Sequence, residues 1–338
     1  METMKIEIDG DGIALVTFDV PGRSMNTITG AVMRDFVTLT EEIKSNDKIK
    51  GVVLHSGKAN GFCAGADIGE MGSGSLQGGA GQAKTEEERL KALFEGAFSL
   101  NRTFRALETC GKPIAVALEG LALGGGLEIA LACHYRVAAD NPKIQFGLPE
   151  AKIGLLPGAG GTQRLPRLIG VQAAAMMILQ GESKTPQEAK ALGFVHELAP
   201  AGQTIEAAKK WVKANPKAVQ PWDAKGFKIP GGGPYTPGGG MVFAGGNAMV
   251  HRQSFGNYPA QKYILSCIYE GVQVPIDAGV RIETRYFVKT SQTPQAKAMM
   301  RSLFLSMQEL GKGANRPKAY PKYDVKKVAV LGAGMMGG

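Results

Sequence analysis

Apolar positions in the first third of the chain switch between two periods. "KIEIDG" and "IALVTFD" alternate apolar and polar residues and are separated by Asp-Gly, which predicts a hairpin. Val32, Phe36, Leu39 and Ile43 then recur at helical spacing and predict a helix over residues 29–44. "KGVVLHS" and "KPIAVALEG" are apolar runs of the kind that form buried strands, and residues 85–107 between them read as a long helix. "HYRVAADNPKIQFG" predicts a strand, a turn at Asn141 and Pro142, and a second strand. Helical spacing dominates residues 160–213. Strands alternating with helices predict α/β layering around a parallel sheet. Two stretches depart from either period. The glycine-rich residues 71–81 read as flexible, and the Pro/Gly-rich residues 221–246 as an irregular loop or linker. Helical signal returns over residues 258–269 and 276–310.

Composition narrows the class. A chain of 338 residues, 44% hydrophobic and 20% charged, is an ordinary globular chain with a prior of roughly two domains. No apolar run approaches the ~20 residues of a membrane span. The start has neither a signal peptide's apolar core nor an Arg-rich presequence, so a cytoplasmic location is expected. Cys63, Cys110, Cys133 and Cys267 lie far apart and fit reduced thiols; with four scattered histidines, no metal site is expected. The net charge of +9 is spread over the chain without a basic helix or a basic–aromatic alternation. A solvated basic surface is therefore expected, with no nucleic-acid partner, and a polyanionic small molecule would suit such a field.

Chemistry enters with "LALGGGLEIAL", where Gly124, Gly125 and Gly126 interrupt an apolar stretch and Glu128 follows. Read as strand, turn and helix, this segment presents backbone N–H groups that lack helical partners. Two readings stand open: close helix–sheet packing, or donors aimed at a developing negative oxygen. "GFCAGADIGEM" offers a second such turn, able to aim one N–H at the same oxygen. In "FGLPEAKIGLLPGAGGTQRLPRLIG", Glu150 follows a proline, and it is either a solvated turn carboxylate or a desolvated group suited to acid–base work.

Together, in this order and spacing, "FCAGADI", "ALGGGLEIAL" and "FGLPEAKIGLLPGAGGTQRLPRLIG" resemble the enoyl-CoA hydratase (crotonase) family, over about residues 6–198. The resemblance implies an α/β crotonase-type spiral of ββα turns over residues 1–200, commonly trimeric, with a helical part and linker over 201–325. It implies hydration of a trans-2-enoyl-CoA without a cofactor or metal. Glu128 and Glu150 would be the catalytic pair, Glu128 as base and Glu150 as acid. Ala64 and Gly125 would supply the oxyanion-hole amides, and Gly158 an amide for the attacking water. Arg23, Ser24, Ala66, Asp67 and Ile68 would line the CoA pocket. Related members are isomerases and thioester hydrolases that usually lack one glutamate, so both glutamates favour hydration, with Δ3–Δ2 isomerisation as a side activity. A non-catalytic acyl-CoA-binding scaffold is the alternative.

Residues 326–338 run as a hydrophobic strand into Gly332, Gly334 and Gly337, the spacing of a dinucleotide-binding turn. No helix follows, so this segment is not expected to bind NAD by itself. The order of hydratase, helices and Rossmann-type start resembles the α-subunit of multifunctional fatty-acid β-oxidation enzymes. That resemblance implies a fragment whose longer protein also uses NAD as a 3-hydroxyacyl-CoA dehydrogenase and meets a thiolase subunit; as a fragment it is expected to be a homo-oligomer.

Overall fold

The computed structural model describes residues 1–59, 61–72, 81, 83–313, 315–317, 319–320 and 323–330. Strands β1 (Met4–Ile8) and β2 (Ile13–Phe18) form the expected hairpin, with Asp9 Oδ1 accepting the Ile13 N–H at its turn. Helix α1 (Gly30–Ser45) starts at Thr29, whose hydroxyl accepts the Val32 N–H, and buries Val32, Phe36, Leu39 and Ile43 as the spacing predicts. Strand β3 (Gly51–Ser56) pairs parallel to β2. The short helix α2 (Ile68–Gly72) follows, then α3 (Glu86–Glu108), which Thr85 and Glu88 open with a capping box.

Strand β4 (Ile114–Leu118) is buried throughout, as a parallel strand covered on both faces must be. After it come β5 (Ala122–Leu123), α4 (Gly125–Ala132), β6 (Tyr135–Ala139) and β7 (Phe146–Gly147). Helices α5 (Gly161–Ile169) and α6 (Val171–Gln180) lead to β8 (Ser183–Lys184), α7 (Pro186–Leu192), β9 (Glu197–Ala199) and α8 (Thr204–Ala214). One sheet runs β1-β2-β3-β4-β6-β9, and a small second one runs β5-β7-β8. Ala208 and Val212 of α8 pack with Val53, Ala115, Ala117 and Val137 on one face of the large sheet. The main core, with Phe36, Phe104, Leu127 and Ile129, covers the other. The second strand predicted after Asn141 and Pro142 shrinks to β7 and joins the small sheet, beside β5.

The irregular loop predicted over residues 221–246 is overturned in its second half. Helix α9 (Pro237–Ser254) starts there, capped by Thr236 with Pro237 in its first turn. Its glycines disfavour a helix locally. Packing against α6 and α10 (Pro259–Gly271) reverses that preference. Phe243 is buried with its ring 5.0 Å edge-on from Tyr269. The helix predicted over residues 276–310 breaks into α11 (Ile276–Ser291) and α12 (Pro294–Met299), because Pro294 cannot continue a helix and Thr293 caps a new one. Residues 73–80 of the glycine-rich stretch, and Gly332, Gly334 and Gly337, lie outside the described residues.

Candidate active site

The three glycines ahead of Glu128 satisfy both readings left open by the sequence. Gly124 turns the chain at φ 53° into α4, and a Cβ there would stand 2.8 Å from Glu150 Oε1. A Cβ on Gly126 would stand 2.3 Å from the Cys63 carbonyl oxygen, so that glycine serves close packing. At Gly125, the first residue of α4, the amide has no intrahelical acceptor.

The segment "CAGAD" is bound to the chain around Asn26 and Ile28, and this corrects one expectation. The Ala64 N–H donates to the Asn26 carbonyl at 2.9 Å, so it is not free to face a ligand oxygen. The Gly65 carbonyl accepts from Ile28, and the Asp67 N–H donates to the Ile28 carbonyl at 3.0 Å. Gly65, at φ 96°, breaks the strand alternation, so the Ala66 N–H turns away from this pairing. Among the described residues Ala66 N–H has no acceptor, and a Cβ built on Gly125 would lie 3.8 Å from the Ala66 nitrogen. Ala66 and Gly125, rather than Ala64 and Gly125, are the neighbouring pair of free amides.

Glu128, in the first turn of α4, is 2% exposed, and its Oε1 accepts the Ala159 N–H at 2.8 Å and the Gly161 N–H at 2.7 Å. Burial, helped by the charges of Glu283 and Glu150, pushes its carboxyl well above the usual range, against the pull of those two amides. Glu150 lies on a single 3-10 turn, Pro149–Ile153. Its Oε2 is buried with no hydrogen-bond partner among the described residues, which rules out the solvated-turn reading. Burial pushes this carboxyl up to about 8. The charges of Glu150 and Glu283 both bear on Glu128, so these buried carboxyls titrate as a set.

Sequence reasoning missed Glu283. It lies on α11, is fully buried, and reaches the same turn that holds Glu128. The available signal was a carboxylate on the buried stripe of that helix, with Ile276, Val280 and Val288. Below the turn, Arg164 is clamped by Glu108 at 2.7 Å, both fully buried, and Arg164 Nη1 donates to the Ala159 carbonyl at 2.9 Å. The Gly158 amide has no acceptor among the described residues, and its carbonyl accepts from Asn101.

The candidate CoA-pocket residues stand at the other end of "CAGAD". Arg23 pairs with Asp67 at 2.5 Å and also donates to Thr27, while Ile68 opens α2. Arg23 is thus held by a carboxylate, which burial raises and the arginine and the Glu70 amide pull down to a net lowered pKa. Ser24 lies next to Arg23 on the same segment. No group of three or more potential metal-ligating side chains occurs among the described residues. None of their helices is long and apolar enough to cross a membrane.

Residues 9–224 match the family described as enoyl-CoA hydratase/isomerase. A fatty acid oxidation complex subunit alpha of Shewanella amazonensis is 36% identical over the whole of this chain, which covers 46% of that relative. The corresponding subunit of Idiomarina loihiensis is 37% identical over 98% of this chain and 45% of its own length. The chain therefore spans about half the length of the curated relatives it matches. A solved enoyl-CoA hydratase described as putative, from Streptomyces avermitilis, superposes with a TM-score of 0.62 over 94% of this chain and 98% of that one, at 21% identity. That likeness shows the fold, the crotonase-type α/β spiral expected from the sequence.

Proposed function

The chain belongs to the enoyl-CoA hydratase/isomerase family, and from that membership we propose that it adds water across the double bond of a trans-2-enoyl-CoA. The thioester oxygen accepts from the Ala66 and Gly125 amides, which draws electrons from C3 and stabilises the enolate that forms. Water, oriented by both carboxyls and the Gly158 amide, attacks C3 as Glu128 takes its proton. The electron pair of the alkene moves onto the thioester oxygen and returns to bind a proton from Glu150 at C2. Transfer of the proton from Glu128 to Glu150 restores the starting state. The CoA moiety lies along Arg23, Ser24, Ala66, Asp67 and Ile68, where the basic side chain faces its phosphates. No cofactor takes part in this step.

One observation carries the reading: the Glu150 carboxyl, whose buried Oε2 has no hydrogen-bond partner among the described residues, stands beside Gly124, one residue ahead of the free Gly125 amide that opens α4. Loss of the conjugated-thioester absorbance with short-, medium- and long-chain 2-enoyl-CoA tests it. Glu128→Gln and Glu150→Gln are each expected to slow turnover about 10²–10⁴-fold, the worth of a general acid or base. Unchanged turnover in either variant rejects its assigned role. For the longer protein, the relatives' name and the glycine spacing at Gly332, Gly334 and Gly337 support NAD-dependent oxidation of the 3-hydroxyacyl-CoA product. They also support assembly with a second subunit, which we take to be a thiolase.

A further inference from the structure

Beyond the residues matched to the family, α11 sends one carboxylate back into the site. We propose that Glu283 is a positioning residue of the reaction: it fixes the turn over residues 158–162 and, through two amides of that turn, sets the place of the Glu128 carboxylate. The inference rests on the hydratase reading above.

Four consecutive amides of the turn alternate between two carboxylates. Ala159 and Gly161 donate to Glu128 Oε1 at 2.8 and 2.7 Å, while Gly160 and Thr162 donate to Glu283 at 2.6 and 3.0 Å. The Thr162 hydroxyl adds a bond to Glu283 Oε2 at 2.6 Å. Asn101 Nδ2 donates to Glu283 Oε1 at 3.1 Å and to the Gly158 carbonyl at 3.0 Å, so both ends of the turn are tied to one group. All four partners of Glu283 are donors and none is a cation. A neutral amide cannot replace it, since its nitrogen would face a donor. A buried anion held only by neutral donors is costly to keep.

That charge also bears on Glu128. The groups facing Glu283 are Glu128 on α4, Glu150 on the 3-10 turn, Arg164 and Arg167 on α5 and the Cys267 thiol on α10. Helix α3 faces it with neutral Asn101, its own Arg105 and Glu108 being paired farther along. A like charge disfavours ionisation of Glu128, so its loss lowers the pH at which the base becomes active.

The test is Glu283→Gln in this chain, with kcat and KM for a 2-enoyl-CoA measured across pH. We expect kcat to fall about 10²-fold, the effect of misplacing a catalytic group by roughly 1 Å. KM should stay within about threefold and the acid limb of the profile move down by about one unit, the scale of a lost neighbouring charge. An unchanged kcat, or a loss of rate with the acid limb in place, overturns the proposal. Should Glu283→Gln not melt cooperatively, Thr162→Val is read instead. It keeps the Thr162 amide and is expected to lower kcat about tenfold, with the limb moving the same way. Should the wild-type chain hydrate no enoyl-CoA, the hydratase reading falls. Difference infrared titration of the Glu128 carboxyl, assigned with Glu128→Gln, then decides: a lower midpoint in Glu283→Gln supports the positioning role, and an equal one overturns it.

Discussion

A carboxyl pushed up to about 8, as burial does to Glu150, keeps its proton through the neutral range and can give it to carbon. If that proton is the one delivered to C2, ionisation of Glu150 does not limit turnover at saturating substrate below the raised value, where only the acid limb of Glu128 lowers it. Above it, turnover falls about tenfold per pH unit as the acid form disappears. A pH profile of kcat checks this, and an alkaline limb that persists unchanged in Glu150→Gln would assign it to another group. Single residues also set the limit of motif reading. "FCAGADI" announces a turn that approaches a ligand, but which of its amides stays free depends on Asn26 and Ile28, which engage the Ala64 amide and both groups flanking Ala66. Strand alternation alone puts Ala64 and Ala66 on one side; the left-handed backbone at Gly65 separates them.

At the scale of elements, the periodic segments were legible and the glycine-rich ones were not. Helix α1 buries the four residues its spacing marks, and α3 begins at the capping box written in Thr85 and Glu88. Helix α9 had no such pattern, because glycine's local cost hides a helix that tertiary contacts stabilise. Some of its glycines allow close approach: a Cβ on Gly246 would touch Leu265 at 3.4 Å. Gly245 meets nothing within 4 Å and is exposed. Gly245→Ala should therefore raise stability by about 0.5–1 kcal/mol through the lower entropy of the unfolded chain. Thermal unfolding of the variant beside wild type checks it, and a lower melting temperature would mean that Gly245 has a packing role.

At the scale of the whole molecule, the site hangs on an ion network that joins distant parts of the chain. Glu108 accepts from Arg164 and Arg105, and Arg105 reaches on to Asp223 and Asp277 at 2.9 Å each. Glu108→Gln leaves Arg164 buried with half its partner, and breaking a buried pair costs about 3–5 kcal/mol. A lower urea midpoint, with weaker turnover where the Ala159 turn loosens, is the expected result; an unchanged midpoint would show the pair to be dispensable. The sequence alone determined the alternation of strands and helices, the three glycine-rich turns and the pair of glutamates, because periodicity, caps and turn residues act over a few positions. Tertiary structure alone decided that Ala66 rather than Ala64 offers a free amide, that α9 is helical, and that Glu283 meets the turn of Gly160 across 123 positions. Each of these depends on which distant groups satisfy a buried donor or acceptor, and that is settled only when the core closes around them.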